Sequence, residues 1–262
     1  MNLARIALLS LVVCTGTLAQ AGMLFDRGLP EANLNNGAGS NRSNVAWATY
    51  WNYNDTDSYM YGDDFTLGAG KTYKVTNVKV WVVGGSEPFY GNPMSLWGGS
   101  LSSGAAGIGF LSSTYSTKEV GYVGGSNYQG SSGSYLKIWE VDFTTNWFVD
   151  GGDTQLFFVG GQVVNNNGLV YPDYEGYVFT PFLHASNKDL SGSAMQGADD
   201  LMYWAGFEGQ NLVEIGTWSS DGDGWDKASD FNVQVLGEAV PGPAAVLPFA
   251  LGLLASARRR RK

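Results

Sequence analysis

Between residues 22 and 239 no stretch places apolar residues at helical spacing over three turns. Short β-branched and aromatic runs stand instead between clusters of Gly, Asn, Ser and Asp. Side chains alternate faces along a strand with a period of two, so this pattern predicts many short strands. The clearest is 73–83, where Val78, Val80 and Val82 are expected to point one way and Lys79 and Trp81 the other. Strands are also predicted at 45–51 and 59–67, on either side of the polar 52–57, and at 94–97 after a loop bracketed by Pro88 and Pro93. Residues 98–109, rich in Gly, Ser and Ala, are expected to be a connection.

Further strands are predicted at 135–143, 202–207 and 231–236. In the last, Phe231, Val233 and Val235 are expected to face in and Asn232 and Gln234 out. The nearly continuous apolar run 155–164 reads as a central strand, with Gly160-Gly161 as a bulge or bend. Roughly ten strands in one unbroken body predict an all-β fold, a two-sheet β-sandwich of jelly-roll type. No fixed-period repeat is present, which argues against a propeller or solenoid. A body of this length is large enough for a sizeable core.

The first 21 residues read differently. Arg5 precedes the apolar run 6–13, and Ala19-Gln20-Ala21 offers a small-x-small cleavage site. These are the parts of a secretory signal peptide with a short apolar helix, so the mature chain is expected to begin near Gly22. Cys14, the single cysteine, falls inside this segment. A lipoprotein would need a small residue before it, and Val13 is a poor one. A body without cysteine gains nothing from disulfides, so its core must hold it.

Residues 240–262 form a third region. Val240-Pro241-Gly242-Pro243 is built to stop a strand or helix. An uncharged apolar run, 244–257, follows, and then Arg258-Arg259-Arg260-Arg261-Lys262. A bilayer core needs about 20 apolar helical residues, so this run is short for a permanent span. The cations read as cytoplasmic. Sorting tails that are recognised and then removed share this layout, and a plain C-terminal anchor is the other reading. The order of Pro-x-Pro, short apolar helix and Arg cluster resembles the PEP-CTERM sorting signal of Gram-negative bacteria, with Gly242 where the family name implies Glu. The resemblance is confined to these 23 residues. It implies handling by an exosortase-type enzyme, transient inner-membrane contact through the tail, a destination at the cell surface or outside the cell, and an association with exopolysaccharide and biofilm. Gly62-Asp63-Asp64-Phe65-Thr66-Leu67 followed by a long strand also loosely resembles sandwich ectodomains found before such tails.

Charge narrows the partners of the body. Setting aside one cation in 1–21 and five in 240–262 leaves nine against 24 acids, a net charge of −15. Nucleic acid and anionic lipid require clustered Lys and Arg, so both are excluded as charge-driven partners. Neutral sugars and cations are not.

Candidate sites are few. His184 is the only histidine, set between Phe182-Leu183 and Ala185-Ser186, and is expected to be a surface or satisfied loop residue. Any Ser-His-Asp arrangement would rest on it alone, and with one histidine and no cysteine in the mature body a zinc site of His and Cys type is nearly excluded. Glu140 and Asp142 share a strand face that reads as solvated. The chain is accordingly expected not to be an enzyme, with a secreted carbohydrate-binding module or carbohydrate-active enzyme as the alternative. No cofactor is expected apart from Ca²⁺: Asp221-Gly222-Asp223-Gly224-Trp225-Asp226 could fold carboxylates round one ion, through Asp221, Asp223 and Asp226. It is not an EF-hand, because the twelfth position is Asn232, and a polar turn fits equally. Asp63-Asp64 and Asp199-Asp200 read as turns, with Asp64 as a further ligand if it lies near. Trp47, Tyr50, Trp51 and Tyr53, interleaved with Asn and Asp, suit stacking on neutral glycans, although aromatics at alternate strand positions also serve as core.

Overall fold

The computed structural model describes residues 21–30, 44–48, 58–84, 94–122, 137–160, 163–165, 168–170, 182–186, 196–199, 201–208, 211–219 and 230–240. Its strands, in chain order, begin with β1 (Gly22–Asp26), β2 (Asn44–Ala48), β3 (Ser58–Thr66), β4 (Thr72–Gly84), β5 (Ser95–Ser100) and β6 (Gly109–Ser112). They continue with β7 (Tyr115–Tyr122), β8 (Lys137–Asp150), β9 (Thr154–Gly160), β10 (Val163–Asn165) and β11 (Gly168–Val170). The last are β12 (Phe182–Ser186), β13 (Leu201–Glu208), β14 (Asn211–Ser219), β15 (Asp230–Phe231) and β16 (Val233–Val240).

Two antiparallel sheets result. The larger has eight strands, with β1, β16, β4, β12 and β15 in order, β8 and β7 continuing from the other edge of β4, and β2 on β12. The smaller has six, in the order β14-β13-β3-β9-β5-β6, and β10 with β11 forms a separate ribbon. One apolar cluster draws on both sheets: Val78, Val80, Val82, Val141 and Phe143 from the larger, and Phe65, Leu96, Phe157, Val159 and Met202 from the smaller. Phe65 meets Trp147 edge-on across it, 5.4 Å between centroids. Full burial of one such side chain is worth about 1.5–3 kcal/mol. A few of them match a disulfide at about 2–5 kcal/mol, which is how a cysteine-free body can hold together.

The expected faces of β4 hold on one side only. Val78, Val80 and Val82 enter the shared core, but Trp81 on the opposite face is also buried, with Val83 and Ile138. Leu29 and Val120 pack over that group. The sheet is therefore covered on both faces at this end. β8 runs seven residues beyond the predicted end, because burial keeps alternating through Trp147 and Val149. β9 is central as predicted, paired with β3 on one side and β5 on the other, and ends at Gly160.

Residues 98–109 are not simply a connection. Gly98 and Gly99 belong to β5, followed by two 3-10 turns, Leu101–Ser103 and Ala105–Gly107. A β-carbon on Gly99 would lie 2.0 Å from the Gly107 carbonyl oxygen, so the small residues reflect close packing and not a loop. The second turn touches β14, at the far edge of the same sheet. The six-stranded sheet thus curls round a second core of Met60, Ile108, Leu156, Phe158, Tyr203 and Ala205.

β16 continues one residue past the predicted body, because Val240 still pairs with Thr72. The signal segment and the apolar tail lie outside the described residues. No helix among the described residues is long and apolar enough to cross a membrane.

Candidate functional site

The larger sheet branches. On one edge of β4, β16 pairs as far as Val233 with Val80, and β12 then takes over with Leu183 on Val82. β15 meanwhile swings onto β12, with Phe231 on Ala185. Residue 232 lies at the fork, where the ladder loses its regular partners. An unpaired buried backbone group costs as much as a lost hydrogen bond, so something must supply the missing partners.

Asn232 and His184 supply them. The Asn232 amide N–H donates to the His184 carbonyl at 3.1 Å, and its Nδ2 donates to the Arg27 carbonyl at 3.3 Å. That orientation turns Oδ1 toward His184, whose Nδ1–H donates to it at 2.8 Å. Both residues are 1% exposed. Two expectations are corrected here. Asn232 faces inward, because the fork needs its amide. His184 is a buried strand residue, not a surface or loop one.

Arg27 follows β1 and lies between the sheets with none of its surface exposed. Its NH1 forms an ion pair with Asp63 Oδ1 at 2.7 Å, and its NH2 reaches Asp64 Oδ1 at 2.8 Å. NH2 and Nε also donate to the carbonyls of Gly197, at 3.1 Å, and Gln196, at 3.3 Å. Asp63 Oδ2 accepts the Phe231 N–H at 3.0 Å, so one carboxylate joins the smaller sheet to the larger. Asp63 and Asp64 are thus a strand segment, not a turn. β3 pairs with β13 only as far as Gly62 but with β9 as far as Thr66, and Arg27 occupies the edge this leaves.

Three buried or half-buried carboxylates, Asp63, Asp64 and Asp230, surround the one guanidinium. Burial works against the Arg27 charge, but Asp63, Asp230 and Asp64 outweigh it and hold its pKa above the ordinary arginine value. Burial pushes the Asp63 carboxyl up to about 6 against the pull of Arg27, which leaves it ionised at neutral pH. Burial likewise pushes His184 down to about 4, offset slightly by Asn232. Arg27, Asp63, Asp230 and His184 are buried, and the network ties the two sheets together.

A pH prediction follows. The unfolded imidazole titrates near 6.5 and the folded one near 4. The unfolded state therefore takes up the proton first, and stability is full above pH 6.5 and is lost as pH falls toward 4. Asp63 works in the opposite direction, taking up its proton in the folded state near pH 6, ahead of the unfolded value of 3.8. A His184→Gln variant should lose about 3 kcal/mol less than the parent on acidification from pH 7 to 4. Urea unfolding at each pH measures this, and parallel pH profiles for the two proteins would refute it.

Most sequence-predicted site residues fall outside the described residues: Asp221, Asp223 and Asp226, Tyr50, Trp51 and Tyr53, and Pro241, Gly242, Pro243 and Arg258 to Arg261. Trp47 lies in β2 and Val240 ends β16. Among the described residues no three His, Cys, Asp or Glu side chains are grouped to hold a metal ion. Glu140 and Asp142 share Lys79, at 3.0 and 3.7 Å, and Asn77 Nδ2 donates to Asp142 at 2.8 Å. They form a half-buried cross-strand cluster, not a freely solvated face. The motif Gly62-Asp63-Asp64 was visible in the sequence; its partner Arg27 was not, because nothing local marks a lone arginine 36 positions away. Comparisons with protein-family models, curated proteins and solved structures return no match.

Proposed function

We propose that this chain is an exported, non-catalytic component of the cell surface or extracellular matrix, sorted by an exosortase-type enzyme through residues 240–262 and associated with exopolysaccharide. One observation carries the reading. The described strands lie between the two sorting segments: β1 begins at Gly22, after Ala19-Gln20-Ala21, and β16 runs to Val240, before Pro241. These two strands are neighbours, with Gly22 opposite Gly237, so the boundaries sit at one end of one sheet. The cysteine-free, acidic body agrees with a role outside the cytoplasm that does not depend on disulfides or on binding polyanions.

The finer fold class, a two-sheet sandwich of jelly-roll type, belongs to the same reading. It is supported by the shared core and by the chain crossing between sheets at β2 to β3, β3 to β4, β4 to β5, β6 to β7 and β8 to β9. An experimental structure of the body tests it.

The sorting claim is tested by expressing the full chain in a Gram-negative host with and without an exosortase, then mapping both ends by mass spectrometry after cell fractionation. The expected result is an N-terminus at Gly22 in both hosts and loss of the Arg cluster only where the exosortase is present. Recovery from the cytoplasm with both segments intact would overturn the proposal.

A further inference from the structure

Two short turns join the sheets at one end of the body. β3 passes to β4 through 67–71, and β8 passes to β9 through 151–153. The turns are tied together: the Gly152 N–H donates to the Leu67 carbonyl at 2.9 Å, and the Gly151 N–H to the Lys71 carbonyl at 2.8 Å. Val240 pairs with Thr72, which pairs with Asp150, so β16 ends in the row beside these turns. Gly22 lies opposite Gly237, so β1 starts toward the same end. Both apolar stretches near the chain ends, 6–13 and 244–257, are therefore connected to the body here.

The outer face of the larger sheet changes character as it nears this end. Val233 and Val235 enter the core, so Leu236 and Glu238 face outward. Met23 lies opposite Leu236, and Phe148 shares the row of Glu238 through Lys74. Phe148 is 56% exposed and Met23 50%, more than any other large apolar side chain among the described residues. The charges in these two rows are Lys74 and Glu238, which lie opposite each other and cancel, although the body carries −15.

We infer that this end of the body lies against a membrane surface with neutral headgroups, with Met23 and Phe148 in the interface. The chain itself points to this occupant. Val240 and Ala244, where the apolar run begins, can be separated by at most about 14 Å of extended chain. Phe148 stands about 7 Å along the strand from the row of Val240. A membrane that holds 244–257 is thus within reach of this face. Met23 and Phe148 lie three strands apart, about 14 Å, which suits a plane and not a pocket. Apolar and aromatic side chains settle at headgroup level, and Lys74 between them keeps its charge among the headgroups. The contact is too small to hold the body alone. It orients a body that the tail already keeps at high local concentration. The inference rests on the proposed membrane contact of the tail.

The test uses the full chain with Cys14→Ser in phosphatidylcholine vesicles that contain doxyl-labelled lipid. A nitrobenzoxadiazole probe is attached at Ala69→Cys, in the first turn, or at Lys118→Cys, opposite Glu140 and far from Asp150 along β8; both positions are exposed. Quenching at 69 should exceed that at 118 roughly threefold, and Met23→Ser with Phe148→Ser should lower it by roughly half. Equal quenching at the two positions, or quenching at 69 unchanged in the double variant, would overturn the inference. A dimer that the double variant dissolves would assign the face to a second copy and overturn it too. Vesicle flotation separates this reading from the one beneath it. A chain that floats without the difference in quenching overturns this contact alone, and one that fails to float overturns the tail's membrane contact as well.

Discussion

Replacing Arg27 by methionine should lower the unfolding free energy by about 3–5 kcal/mol, measured by urea denaturation at pH 7. The cost comes mainly from what remains behind. Asp63 has none of its surface exposed, and without the guanidinium that holds its pKa down it is left beside Asp64 with the backbone N–H groups of Asp64 and Phe231, so it must either keep a buried charge or take up a proton, and both cost stability. A buried charge deprived of its partner is among the costliest single changes a fold can undergo. The remedy is specific: Asp63→Asn in the same chain removes the charge, keeps an oxygen for the Phe231 N–H and should recover about half of the loss. A single-variant cost below about 1 kcal/mol, or no recovery in the double variant, would show that the ion pair does not hold the sheets together.

Gly62→Ala should be comparably severe, about 3 kcal/mol or more, for a steric reason. A β-carbon at position 62 would lie 1.7 Å from the Phe157 carbonyl oxygen and 2.8 Å from the Phe158 α-carbon. Both are backbone atoms of the central strand β9, so no side chain can swing aside to make room. Relief requires β3 and β9 to part just where Asp63 anchors the larger sheet. Gly70 is the control. Its φ of 80° disfavours alanine, but nothing lies within 4 Å of an added β-carbon, so Gly70→Ala should cost only about 1 kcal/mol. Equal thermal melting of the Gly62 and Gly70 variants would refute the assignment.

These two residues show how far a sequence can be read. Gly62-Asp63-Asp64 stood out as a motif, yet an adjacent acidic pair after glycine reads locally as a turn. Its strand conformation follows from pairing with β9, nearly a hundred residues on. His184 and Asn232 likewise look like surface polar residues from their neighbours in sequence, and only the fork between β4, β12 and β16 gives them partners inside. β7 was missed because most of its side chains are exposed on both faces, which removes the hydrophobic alternation that would have revealed it. β14 was missed because its extra residue, between Leu212 and Glu214, breaks the period of two.

The strand character of the body, the inward faces of Val78, Val80, Val82, Val233 and Val235, and the central place of 155–160 were legible from residue order alone. They depend on β-branched and apolar side chains alternating or running together over a few positions, and that chemistry is local. Which polar groups are buried and which glycines are indispensable depend on strands that meet across tens or hundreds of residues. Only the packed fold could decide these, because burial and charge pairing belong to the neighbours a residue acquires in space.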